Sequence, residues 1–65
     1  MCQATVLLGG EVVGRDVIWL EPEDGGVSFG TLFDERHFVA GRIRRLDFLK
    51  HRVELGPLEV EDERK

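Results

Sequence analysis

Apolar residues recur at every second position along most of this chain, and nowhere do they hold a 3.6-residue period long enough for a helix. Period-2 alternation puts successive side chains on opposite faces of an extended strand, so the pattern restricts the chain to β structure. Ala4, Val6 and Leu8, preceded in phase by Cys2, alternate with Gln3, Thr5 and Leu7, and Gly9-Gly10 ends the run. A second strand is expected from about Val13 or Arg15 to Glu21. Val17 and Trp19 would share one of its faces and Ile18 and Leu20 the other, so something must cover both sides. The turn that follows, Pro22-Glu23-Asp24-Gly25-Gly26, combines a residue with preset φ and glycines that accept positive φ.

Val27, Phe29, Thr31 and Phe33 mark one side of a third strand, and Asp34-Glu35-Arg36 reads as a tight connection. From His37 a fourth strand runs with Val39, Gly41 and Ile43 in phase. Leu46 and Phe48 resume the apolar face one residue late, and a β-bulge at Arg44-Arg45 accounts for the slip. A turn at Lys50-His51 leads to a fifth strand at Val53 and Leu55, and Gly56-Pro57 stops the ladder. A last edge strand could form at Leu58 to Val60. Five short strands with glycine-rich turns predict an all-β fold, a five-stranded SH3-like or Sm-like barrel made of one strongly bent antiparallel sheet. Residues 1–60 would form the single domain and 61–65 a polar tail. The expected core is Val6, Leu8, Val17, Trp19, Val27, Phe29, Ile43, Leu46 and Val53.

Such a core is thin. A chain of 65 residues buries only about 60% of the surface that it would expose unfolded. A single cysteine rules out a disulfide within the chain, which leaves oligomerisation or metal binding as sources of extra stability. Leu7, Ile18 and Leu20 exceed what one small core can hide, and a homodimer interface is expected there. No apolar run approaches the roughly 20 residues of a membrane span, and no secretory signal pattern stands at the N-terminus. With one free cysteine, a cytoplasmic location is the simplest expectation. The formal net charge of −4 disfavours a general nucleic-acid binder. No Ser-His-Asp arrangement, HExxH or P-loop is present, and no enzyme is expected.

Four groups of side chains carry candidate chemistry. Cys2 stands directly behind Met1. If that methionine is removed, Cys2 presents an α-amine and a thiol on one residue, and these close a five-membered chelate ring on a metal. The backbone amide of Gln3 can add a further donor. Sulfur with nitrogen in a plane suits Ni(II) or Cu(II), and a tetrahedral set suits Zn(II). The competing reading is a small apolar residue with an inert thiol at a strand start. On spacing alone the second reading is the better one, because one donor residue is too few for a site. A symmetric dimer would change that by doubling every ligand at its axis.

His37 and His51 fit ordinary structural roles, since His51 lies between Lys50 and Arg52 and His37 stands beside Phe38. Arg42, Arg44, Arg45 and Arg52 would gather on one face if the last two strands pair. Such a stripe could grip RNA phosphates, or form a solvated face with ion pairs to Asp47 and Glu54. The acidic groups Glu21, Glu23, Asp24 and Glu59, Glu61, Asp62, Glu63 lack calcium-loop spacing.

The segments MCQATVLL, WLEPEDGGVSFGTLFDE and GRIRRLDFLKHRVEL, in this order and spacing, resemble the CooT family of small nickel-binding proteins over about residues 2–55. The resemblance implies a five-stranded barrel that dimerises, with a nickel site built around the cysteine after the initiator methionine, here Cys2. It also implies a role in supplying nickel to a metalloenzyme such as carbon monoxide dehydrogenase. Residue 3, where relatives often carry an acidic or other residue, is Gln3 here and offers no carboxylate. Some relatives carry an RNA-binding label, which keeps the arginine stripe as an alternative function.

Overall fold

A computed structural model describes residues 3–58, and their regular elements are all strands. They are β1 (Ala4–Leu8), β2 (Glu11–Glu23), β3 (Gly26–Thr31), β4 (Arg36–Val39), β5 (Arg42–Asp47) and β6 (Arg52–Gly56). They form one sheet in the order β4-β3-β2-β1-β6-β5, with β1 and β6 parallel and every other pair antiparallel. The all-β class holds. The strand count and the closed barrel do not: among the described residues there are six strands, and no ladder joins the edge strands β4 and β5.

The extra strand comes from a break at Ala40-Gly41, inside the stretch expected to run unbroken from His37 to Ile43. β4 and β5 are the two edges of the sheet, yet two residues connect them. The sheet therefore curls until its edges meet at this corner. Arg36 and His37 on one edge, and Arg42, Arg44 and Arg45 on the other, are side chains that discourage further strand pairing.

Curling is driven by β2, whose first half pairs with β1 and second half with β3. Its register shifts twice against β1 and once against β3, between Val17 and Trp19. Each bulge bends the strand and flips the phase of the side chains that follow. Val17 therefore points into the core, opposite Thr31, whereas Trp19 stands on the outer face opposite Gly30. This corrects the expected core, since Trp19 is 38% exposed. Leu20, expected on the far face, turns inward opposite Phe29 and packs against the core, which removes it from any dimer surface. Ile18 remains exposed and Leu7 is half-buried.

The buried centre consists of Val6, Val17, Val27, Phe29 and Leu55, with Ala4, Leu8, Leu20, Val39, Ile43 and Val53 packed around it. Leu46 was expected in this group and is 46% exposed, because it sits at the end of β5 beside the turn. β3 is buried on both faces. On its outer side the Trp19 indole lies across Gly30, so close that a methyl group there would overlap the ring. The Arg36 guanidinium stacks 5.5 Å from the Trp19 ring centroid, and the buried Ser28 hydroxyl donates to Glu23 Oε2 at 2.6 Å.

The turns differ in detail from the sequence reading. Pro22 belongs to β2, opposite Val27, and the β2–β3 turn is Asp24-Gly25, with Gly25 at φ 79°. β3 stops at Thr31, so Phe33 lies outside it and is exposed. Phe48 belongs to the four-residue turn 48–51 rather than to β5. The bulge expected at Arg44-Arg45 is present as a register shift between Ile43 and Arg45. Leu58 is not in a strand, and residues 59–65 lie outside the described residues.

Candidate metal centre

Cys2 also lies outside the described residues, so the site is approached from its neighbour. Gln3 is half-buried and precedes β1, leaving it ahead of the first register pair, Ala4 with Val17. The start of β1 is tied to the β5–β6 turn, where the Thr5 amide donates to the His51 carbonyl at 2.9 Å. His51 holds φ at 56°, and the Lys50 amide donates to Asp47 Oδ1 at 3.1 Å, which closes the turn. These bonds set Gln3 over a mostly apolar hollow whose walls include Leu46, Phe48, His51 and Val53. The hollow stands at a hydrophobic end of the molecule, with Phe48 79% and Leu49 88% exposed.

Two potential donors therefore lie at this end, the His51 imidazole and the Asp47 carboxylate. Among the described residues, no group of three or more His, Cys, Asp or Glu side chains could hold a metal ion. His37 is elsewhere: its ring packs on Phe29 with centroids 5.4 Å apart, and its Nε2 lies 3.3 Å from Glu35 Oε1. The structural role expected of it fits that placement.

The arginines do come together. Arg44, Arg45 and Arg52 line an open groove on the outer face of β5, β6 and β1, with Glu54, Leu7 and Leu55. Arg42 and Arg44 line the adjoining hollow beside Gly56 and Pro57. Pairing of Arg45 with Glu54 and of Asp47 with Arg52 across β5 and β6 places opposite charges side by side, and Arg45 Nη2 stands 3.9 Å from Asp47 Oδ2. Charge along the sequence had suggested this face. The apolar end at Phe48 and Leu49 had not been expected, because Phe48 fits the alternation of β5 and its phase gives no sign of the turn.

The described residues thus form a small all-β chain that carries a polar groove and an exposed apolar end. The family model described as CO dehydrogenase accessory protein CooT matches residues 1–56. The chain belongs to the CooT family, and it is thus an accessory protein of CO dehydrogenase rather than an enzyme itself. The crystal structure of a protein described as a CooT from Carboxydothermus hydrogenoformans superimposes with a TM-score of 0.80 at 24% sequence identity. The match covers 89% of this chain and all of that one, and supports the fold. No curated protein matches the chain. No helix among the described residues is long and apolar enough to cross a membrane.

Proposed function

We propose that this chain binds Ni(II) through Cys2 at the axis of a homodimer and supplies the metal to CO dehydrogenase. The observation that carries the reading is the family match, which reaches back to residue 1 and so includes the Met-Cys start. Each chain contributes a thiolate from Cys2 and one nitrogen, either its α-amine after loss of Met1 or the Gln3 amide. Two chains supply a four-donor square-planar set, which suits nickel and excludes magnesium and calcium, both of which take oxygen donors. The apolar end around Phe48 and Leu49 lies beside Gln3 and offers the surface to pair. Pairing there would bring two N-termini together, in place of the interface expected at Leu7, Ile18 and Leu20. The nickel is cargo, and the accessory role is its transfer.

Titration of the wild type and of Cys2→Ser with Ni2+ tests the site. The expected result is one nickel per two chains in the wild type, with sulfur-to-metal charge-transfer absorption that Cys2→Ser loses while its β-sheet circular dichroism persists. Copper should bind at least as tightly, following the Irving–Williams order, and affinity should fall on acidification because the ligands must shed protons. Equal nickel affinity in the two proteins would end the hypothesis.

A further inference from the structure

The arginine groove adjoins the hollow under Gln3, with Arg52 lining both, and its guanidiniums are not metal donors. Three guanidiniums, Arg44, Arg45 and Arg52, stand on one outer face of a protein whose formal charge is −4, so the local field opposes the global one. The Arg44 stem lies across Gly56, its Cδ where a β-carbon at that position would overlap it. A residue with a side chain at position 56 would therefore displace it. The groove's remaining walls are Leu7, Gly9, Gly10, the carboxylate of Glu54 and an edge of the buried Leu55.

From this arrangement we infer that the groove is a docking surface for an extended, net-acidic peptide segment of a partner protein, an inference independent of the nickel site. Together with the adjoining hollow lined by Arg42 and Arg44, the arginines run the length of β5, since Arg42 lies opposite Gly56 and Arg52 opposite Asp47. Six strand residues extend about 17–20 Å at ~3.3 Å each, which is too long for one compact anion and suits a chain with carboxylates about every second residue. Guanidinium forks bind carboxylates in bidentate fashion. The half-buried Leu7 accepts an aliphatic side chain between those carboxylates, and Glu54 can accept a hydrogen bond from a peptide N–H. Single-stranded RNA is the weaker occupant. No aromatic ring lines this groove for bases to stack on, and Trp19 and Phe48 stand elsewhere.

Fluorescence anisotropy on the full chain decides between them, with a labelled eight-residue peptide alternating glutamate and alanine, its lysine counterpart, and an RNA octamer, all at one salt concentration. The glutamate peptide should bind more tightly than either alternative. Arg44→Glu/Arg45→Glu should weaken it by about tenfold or more, as expected when complementary charges are reversed. Gly56→Ala, which removes no charge, should weaken it by a smaller factor by moving the Arg44 stem. Circular dichroism on each variant verifies that the sheet is retained. Tighter binding of the RNA octamer, no detectable peptide binding at millimolar concentration, or peptide binding that withstands the double reversal in a folded variant would each overturn the inference.

Discussion

Gly14→Ala turns an ordinarily stabilising change into a destabilising one. Gly14 lies in β2 opposite Val6 and does not hold positive φ, so its backbone accepts a side chain. Where a backbone allows it, replacing glycine by alanine stabilises by about 0.4–1 kcal/mol through the unfolded chain. Here the new β-carbon would stand 2.5 Å from Phe29 Cε1 and 2.7 Å from Cζ. Phe29 is fully buried, so its ring cannot retreat toward solvent. Overpacking a filled core costs roughly 1–3 kcal/mol, which outweighs the entropic gain.

For a domain of this size, total stability is roughly 3–10 kcal/mol at about 0.05–0.15 kcal/mol per residue, so the loss would be a large share. Urea unfolding followed by circular dichroism should show the midpoint falling by about 1 M or more, given a slope near ~1 kcal/mol per M. Phe29→Leu vacates the space beside Gly14, so adding Gly14→Ala to that background should cost much less than it does in the wild type. A single Gly14→Ala variant as stable as the wild type, or more stable, would refute the packing argument.

Two other perturbations address different parts of the molecule. Thr31 Oγ1 accepts from the Phe33 amide at 3.2 Å and the Glu35 amide at 3.3 Å, so Thr31→Val should destabilise by about 1–3 kcal/mol by leaving those donors without it, whereas Thr31→Ser should retain most of the stability in thermal melts. Phe48→Ser/Leu49→Ser removes the exposed apolar end and should shift sedimentation from dimer toward the 7.4 kDa monomer without lowering the unfolding midpoint, since neither side chain belongs to the core.

Most of the fold was legible because alternation survives wherever a strand is straight. Val6, Val17, Val27, Phe29 and Val53 were all read correctly as inward-facing, and the Arg44-Arg45 slip identified one bulge. The misreadings cluster where the chain bends. A bulge at Ile18 leaves no mark in the sequence, because residues 17–20 are apolar throughout and either phase looks acceptable; Trp19 and Leu20 were exchanged between faces for that reason. The break at Ala40-Gly41 was hidden because Gly41 kept the phase from Val39 to Ile43 while the chain crossed from one edge of the sheet to the other. For the site, the Met-Cys start was visible as a motif and meaningful only through the family. The sequence alone could not reveal that residue 3 sits against the 48–51 turn, since that neighbourhood depends on the parallel pairing of β1 with β6.

That same pairing fixes how the two proposed surfaces relate. β1 begins beside the apolar hollow under Gln3 and reaches the arginine groove at Leu7, four residues further on. At about 3.3 Å per residue, Gln3 and Leu7 stand roughly 13 Å apart, although Arg52 lines both regions. A segment docked on Arg44 and Arg45 would therefore leave the N-terminal end uncovered, close enough for another part of the same partner to reach it. Binding of metal and docking of the partner should then be separable. Arg44→Glu/Arg45→Glu should leave nickel affinity and stoichiometry unchanged in direct titration, while slowing nickel transfer from the loaded protein to apo CO dehydrogenase. Cys2→Ser should show the converse, with peptide binding intact and nickel lost. Arg52 lines both the groove and the hollow under Gln3, so Arg44 and Arg45, which line only the groove side, are the substitutions that separate the two. A charge reversal in the groove that weakened nickel binding as strongly as Cys2→Ser would show that the two surfaces are one site, and would overturn this division.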